Sequence, residues 1–206
     1  MKVYSAPRTR SLRVVWLLEE LGTSYELETV EFKPTSSEFF IQDTPTGKIP
    51  TLVDGEVVLA ESGAILEYLL ERYGEGSGLA AEIGSPERGQ YLQWMHFAES
   101  TAWVPIGNVV WLGLYREGRD GPELLADARS RAARSLRFVE EQLGEQDFLL
   151  TGGFSAADIM MAFTLGVAQR LELMDVDAHP RLLGYLQRLM ARDGFRRAAA
   201  RGGGFD

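Results

Sequence analysis

The 206-residue chain reads as an α/β first third joined to an all-helical remainder, and three features predict this. Strand-like and helix-like patterns alternate as far as Tyr73. A glycine-rich run, Gly74-Glu75-Gly76-Ser77-Gly78, has the composition of a flexible connector. Beyond it the strand signals stop while helical periodicity continues. The predicted domains are residues 1–78 and 79–206, each large enough for its own core.

Lys2 to Ser5 predicts a short strand. Ser11 to Leu21 places Leu12, Val15 and Trp16 at helical spacing, and Gly22 stands where a helix C-terminal cap belongs. Tyr25 to Phe32 alternates apolar and polar residues like a half-exposed strand. Ser36 to Ile41 predicts a short helix, and Asp43 to Pro50 a Pro- and Gly-rich loop. Thr51–Val53 and Val57–Ala60 flank the Asp54-Gly55 reversal as a hairpin, and Ser62 is suited to cap a helix reaching Tyr73. In the second part the helices predicted are Pro86 to Tyr115, Pro122 to Leu143, Ser155 to Leu171 and Pro180 to Met190, with fraying at the tail Arg201-Gly202-Gly203-Gly204.

Composition excludes several function classes. The net charge of −9 and the lack of a basic run argue against nucleic acid as a partner. Residues 1–78 carry 7 Lys/Arg against 13 Asp/Glu, so an anionic ligand there needs a locally positive pocket. No apolar stretch approaches the ~20 residues of a membrane span, and the start Met1-Lys2-Val3-Tyr4 lacks the apolar core of a signal peptide, so no membrane partner and a cytoplasmic location are expected. There is no cysteine, hence no disulfide, thiolate metal site or protein thiol nucleophile. His96 and His179 are too few and too far apart in sequence to suggest a metal. Any sulfur chemistry needs a thiol brought by a ligand.

Four local sequences, in this order, carry a resemblance to the cytosolic glutathione transferases. Thr9 to Leu21 (TRSLRVVWLLEEL) resembles the first helix of a bacterial and fungal branch of that family. Gly47-Lys48-Ile49-Pro50-Thr51-Leu52 resembles its cis-proline loop, and Leu59-Ala60-Glu61-Ser62-Gly63-Ala64-Ile65 its γ-glutamyl-binding turn. Phe154-Ser155-Ala156-Ala157-Asp158-Ile159 resembles the buried start of the second domain's central helix. The resemblance covers nearly the whole chain. It implies a thioredoxin-like βαβαββα domain followed by an α-helical bundle, glutathione as co-substrate, no metal, and a homodimer.

The resemblance also assigns roles. Thr9 stands where the branch usually has serine, as the hydroxyl that stabilises the glutathione thiolate; Ser11 and Tyr4 are the alternatives, and Arg10 adds positive charge nearby. In the plainer reading Thr9 or Ser11 merely caps the helix. A cis Pro50 presents the backbone of Ile49 to the cysteinyl part of the peptide, and Lys48 either meets a ligand carboxylate or is solvated. Glu61 suits the ammonium of the glutamyl end and Ser62 its carboxylate, at a helix N-terminus, although Ser62 also suits a bare cap. Trp103, Trp111 and Tyr115 are expected to line a pocket for a small-molecule electrophile, while Trp94, Phe97 and most other aromatics nearby fill the core. Ser155 and Asp158 read as a structural capping box.

The function implied is conjugation of glutathione to hydrophobic electrophiles, or peroxide reduction with glutathione. The alternative is a non-catalytic interaction module on the same fold. Reduction through a protein cysteine is disfavoured, since the chain has none.

Overall fold

The computed structural model of the chain describes residues 1–32, 44–117, 119, 121–202, 204 and 205. They form two compact units, Met1–Leu79 together with Met190–Asp206, and Ala80–Leu189.

In the first unit, β1 (Lys2–Ser5), α1 (Ser11–Leu21), β2 (Glu26–Thr29), β3 (Thr51–Asp54), β4 (Val57–Leu59) and α2 (Ser62–Tyr73) follow one another. The sheet order is β2-β1-β3-β4, with β1 parallel to β2 and antiparallel to β3, and β3 and β4 paired as a hairpin. Glu26 and Glu28 make β2 a charged edge strand, and the Lys2 ammonium lies 2.8 Å from Glu26. This is the thioredoxin-like arrangement. The helix expected over Ser36 to Ile41 lies outside the described residues.

Helix α1 begins and ends where its periodicity predicts, and Gly22 closes it in the left-handed conformation at φ 65°. The strand expected over Tyr25 to Phe32 is shorter at both ends, Glu26–Thr29; at its start the Tyr25 hydroxyl donates to Glu19 at 2.7 Å, and the Arg201 guanidinium lies 4.2 Å from its ring centre.

The tail corrects one expectation. It does not fray at Arg201; helix α8 (Asp193–Gly202) runs through that residue and packs along α1. Phe195 meets Trp16 edge-on at 5.0 Å, and Arg192 donates twice to Glu20, at 2.8 and 3.0 Å. Arg197 and Arg201 both donate to Glu19, each at 3.0 Å. A Cβ on Gly194 would lie 2.5 Å from the Glu20 carboxyl carbon, so glycine lets that carboxylate sit against the first turn of α8.

The second unit is helical. Helix α3 (Arg88–Phe97) passes through a π-helical stretch Ala98–Ala102 into α4 (Trp103–Val109), then through a second such stretch, Val110–Tyr115. Pro105 lacks the N–H that would bond the Thr101 carbonyl in a regular helix, and its ring crowds that carbonyl; a widened turn beforehand relieves both. Ser135 of α5 (Pro122–Leu143) directs its hydroxyl to the Thr101 and Arg131 carbonyls, 3.3 Å from each. Helices α6 (Ala156–Arg170) and α7 (Pro180–Met190) complete the unit.

Its most constrained polar group is Asp158, fully buried in the first turn of α6. The expected capping box is present, with the Ser155 N–H donating to Asp158 at 2.8 Å. Asp158 also accepts from the Ser155 hydroxyl at 3.1 Å, the Leu149 N–H at 2.9 Å and the Tyr185 hydroxyl at 2.7 Å. Burial pushes its carboxyl above the usual range, and these four donors pull the other way. Buried Glu140 of α5 caps α7 in a similar manner, accepting the N–H groups of Arg181 and Leu182 at 3.0 and 2.8 Å.

Two outcomes follow from these contacts. Asp158→Ala removes the acceptor of four donors and should lower stability to urea by about 3–5 kcal/mol, against roughly 1–2 kcal/mol for Tyr185→Phe. Burial raises the Glu19 and Glu20 carboxyls, but hydrogen bonds from Tyr25, Arg201 and Arg197 to Glu19, and from Arg192 and Trp16 to Glu20, outweigh it and hold both below the ordinary value. A lowered carboxyl stabilises above its unfolded value and loses that contribution as pH falls through its folded one. The protection factors of α8 amides, which correct for the intrinsic pH dependence of exchange, should therefore hold down to about pH 4.5 and fall below it; protection unchanged in more acid solution would contradict this.

Candidate active site

The first unit places three short segments of the sequence on one framework. The turn Ala6 to Arg10 leads from β1 into α1, with Arg8 at a positive φ of 61°. Thr9 is half-buried and Ser11 fully buried. The Thr9 hydroxyl donates to the Ala6 carbonyl at 2.7 Å and accepts the Ser11 N–H at 3.3 Å. With its proton so placed, Thr9 also accepts the hydroxyl of Ser11 at 2.9 Å. Neither Thr9 nor Ser11 caps α1, whose cap position makes no side-chain hydrogen bond; Thr9 instead ties the turn to the first helical residue. Half-buried Arg10 supplies the residue at the cap position of α1. Tyr4 lies on β1 with the Lys2 ammonium 5.6 Å from its ring centre, and alternates with buried Val3 and Ser5 on the opposite face.

The second segment is the loop before β3. The Ile49–Pro50 peptide is cis, as the resemblance implies. A closed ring of hydrogen bonds surrounds Lys48: its N–H donates to the Thr46 hydroxyl at 3.2 Å, Thr46 and Thr51 share a short hydroxyl–hydroxyl bond, and Thr51 donates to the Lys48 carbonyl at 2.6 Å. Thr51 is fully buried, so the ring anchors the loop to the sheet. Half-buried Ile49 stands outside the ladder, which begins at Thr51.

The third segment is the β4–α2 junction. Exposed Glu61, not Ser62, holds the cap position of α2, at φ 69° and ψ 107°. Such a conformation in a non-glycine residue is sparsely populated and clusters at binding sites. Ser62 is the first helical residue, where a backbone N–H has no partner within the helix. Its side chain is buried, and its hydroxyl oxygen accepts a 3.0 Å hydrogen bond from Arg13, itself fully buried in α1. The sequence pattern passes over Arg13, Thr46 and Thr51; the signal that finds Arg13 is a charged residue in the middle of an apolar helix face.

In the second unit, Trp103 is half-buried and tilted against Phe163 of α6 at 5.5 Å. A Cβ on Gly107 would lie 2.9 Å from its indole nitrogen. Trp111 is 39% exposed and meets Tyr115 edge-on at 6.0 Å. Trp94 is core, and Phe97 stacks on Phe138 at 5.0 Å. Among the described residues, no cluster of His, Cys, Asp or Glu could hold a metal, and no helix is long and apolar enough to cross a membrane.

Residues 1–71 match the family model for the glutathione S-transferase N-terminal domain, and residues 102–193 that for the C-terminal domain. The chain is 30% identical to glutathione S-transferase F10 of Arabidopsis thaliana over 167 residues, covering 77% of this chain and 76% of that one. The crystal structure of a glutathione transferase from Methylococcus capsulatus superimposes with a TM-score of 0.81 at 30% identity, over 98% of both chains. A glutathione transferase family member from Pseudomonas fluorescens, crystallised with two glutathione molecules bound, gives 0.81 at 26% identity, over 96% of this chain and 91% of that one.

The ring about Lys48 has a measurable consequence. Thr51→Val keeps the shape of the side chain but removes both of its hydroxyl bonds, and should cost about 1–2 kcal/mol of stability while accelerating exchange of the Lys48 amide.

Proposed function

The chain belongs to the glutathione S-transferase family, and from that premise we propose that it is a glutathione transferase, activating the thiol of bound glutathione for attack on a hydrophobic electrophile. The observation that carries this reading is the half-buried Thr9 hydroxyl on the turn that opens α1, with Ser11 buried behind it. A fully buried Ser11 cannot reach a ligand sulfur, which favours Thr9 over Ser11 as the donor.

The free thiol has a pKa of about 8.5, so only a few per cent is thiolate at neutral pH. Lowering that pKa by about two takes roughly 2.7 kcal/mol of preferential stabilisation of the anion. The Thr9 hydroxyl, turned from the Ala6 carbonyl to the sulfur, supplies one charge-assisted hydrogen bond, and the N-terminus of α1 adds its dipole. The thiolate lone pair then forms the new carbon–sulfur bond, while the leaving group departs with its bonding electrons. Ile49 offers its backbone to the cysteinyl residue, and Glu61 and Ser62 receive the glutamyl end. Lys48, exposed beside Ile49, is assigned to a ligand carboxylate. Trp103, Trp111 and Tyr115 are assigned to the electrophile. The family reading also carries a two-fold homodimer and a cytoplasmic location.

Titration with glutathione should quench or shift tryptophan fluorescence, and the bound thiol should show thiolate ultraviolet absorbance at neutral pH. Thr9→Val should abolish that absorbance and lower the conjugation rate by about 100-fold while leaving binding nearly intact. A variant that keeps the thiolate signal would remove Thr9 from its role. Absence of millimolar binding by the wild type would instead favour the non-catalytic module.

A further inference from the structure

We propose that Asp54-Gly55 is a site of spontaneous aspartyl isomerisation, held shut in the folded protein by Tyr68, Tyr73 and Arg72; the inference stands apart from the glutathione reading above.

An aspartate followed by glycine is open to ring closure along the backbone, because glycine puts no side chain beside its own nitrogen. Gly55 keeps that openness in the fold. It lies in the turn between paired Asp54 and Val57, at φ 62°, and a Cβ built on it would have nothing within 4 Å. In the reaction the Gly55 nitrogen bonds to the Asp54 carboxyl carbon, and the carboxyl hydroxyl leaves with the amide proton as water. Water then opens the five-membered imide. Addition at the main-chain carbonyl leads the backbone through the Asp54 side chain, as isoaspartate, while addition at the other carbonyl restores aspartate. One water is lost and one gained, so no other reactant is needed. The neutral carboxyl is the reactive form, since a carboxylate would have to expel oxide.

The fold opposes both the protonation and the approach. The Asp54 side chain is 13% exposed, and its Oδ2 accepts the Tyr68 hydroxyl at 2.9 Å and the Tyr73 hydroxyl at 2.5 Å, with Arg72 Nε 3.5 Å away. Arg72 Nε also donates to the Tyr73 oxygen at 3.2 Å, which braces the donors at the end of α2 against one another. The Tyr73 bond above all, then the Tyr68 bond and the charges of Arg72 and the Met1 amino group, hold the carboxyl below its ordinary value despite partial desolvation. The same bonds tie the carboxyl to α2, so its carbon cannot turn to the Gly55 nitrogen without breaking them. A tight hairpin needs none of these groups, because Asp-Gly closes it by backbone conformation. Isomerisation would insert a methylene into the main chain at the end of β3, the strand that anchors the Lys48 loop, and disrupt its pairing with β4.

The test is ageing at about pH 6, where nearly all of the carboxyl is ionised. After digestion, the Asp54 peptide is resolved chromatographically into its aspartyl and isoaspartyl forms, and a protease that cleaves before aspartate but not isoaspartate identifies them. A rise of one in the carboxyl pKa multiplies the neutral acid about tenfold, so Tyr68→Phe/Tyr73→Phe should isomerise at Asp54 about 10-fold faster than the wild type, with Tyr73→Phe in between. The folded wild type should in turn be slower than the same chain unfolded in urea. Asp193-Gly194 is the internal control: it opens α8, its carboxyl is 83% exposed, and it lies outside the clamp. Its rate should stay at the wild-type value in every folded variant. Should the double variant fail to fold, Tyr73→Phe and Arg72→Gln, both at exposed side chains, should each be several-fold faster at Asp54. The proposal is overturned if folded wild type isomerises at Asp54 as fast as in urea, or if the variants match the wild type. It is overturned equally if Asp193 accelerates by the same factor as Asp54, as a mere loss of stability requires.

Discussion

Helix α1 is the constraint from which the first unit follows. Its residues from Ser11 to Leu18 are all buried, so it is enclosed rather than laid on a surface. An enclosed helix must satisfy each inward polar group with protein. Arg13 meets Ser62 of α2, the indole of Trp16 donates to Glu20 at 2.9 Å, and Glu20 in turn receives Arg192 of α8. These bonds decide which elements surround α1 and at what register. Moving the helix would break them together, which is why the turn before it can hold Thr9 in one place.

The site is assembled by the same economy. The turn at Thr9 leaves the end of β1, the Lys48 loop enters β3 beside it, and the Glu61–Ser62 junction leaves β4 on the other side of β3. Segments about 40 and 50 residues from Thr9 in sequence thus become neighbours through the order of the strands. Each is tied by its own short-range bonds: Thr9 to Ala6, Thr46 to Thr51, Ser62 to Arg13. These ties fix the backbone of each segment, so that in the proposed role only the Thr9 hydroxyl has to turn, from the Ala6 carbonyl to the ligand sulfur.

The second unit solves a different problem. Helix α6 is buried along most of its length, so its start lies where water cannot reach the free N–H groups. Asp158 meets part of that need and also gathers the Leu149 N–H and the Tyr185 hydroxyl from outside the helix. The departure from regular helix before α4 has local support as well: the Ala98 carbonyl accepts both the Trp103 N–H and the buried Thr164 hydroxyl, the latter at 3.1 Å.

Local pattern determined much of this by itself. Ser11–Leu21, Pro122–Leu143 and Pro180–Met190 are helices with the bounds their periodicity predicts, and Gly22, the Asp54-Gly55 reversal and the Ser155–Asp158 box act where residue type alone places them. These features depend on neighbours a few residues apart, which a linear reading sees. Only the tertiary structure decided the rest: that Glu61 rather than Ser62 takes the cap of α2, that Tyr25 bonds to Glu19, that Asp193–Gly202 is a helix lying on α1, and that Arg13 points at Ser62. Each depends on partners tens of residues away or more, and no periodicity encodes such a contact, because its energy exists only once the chain has brought both groups out of water.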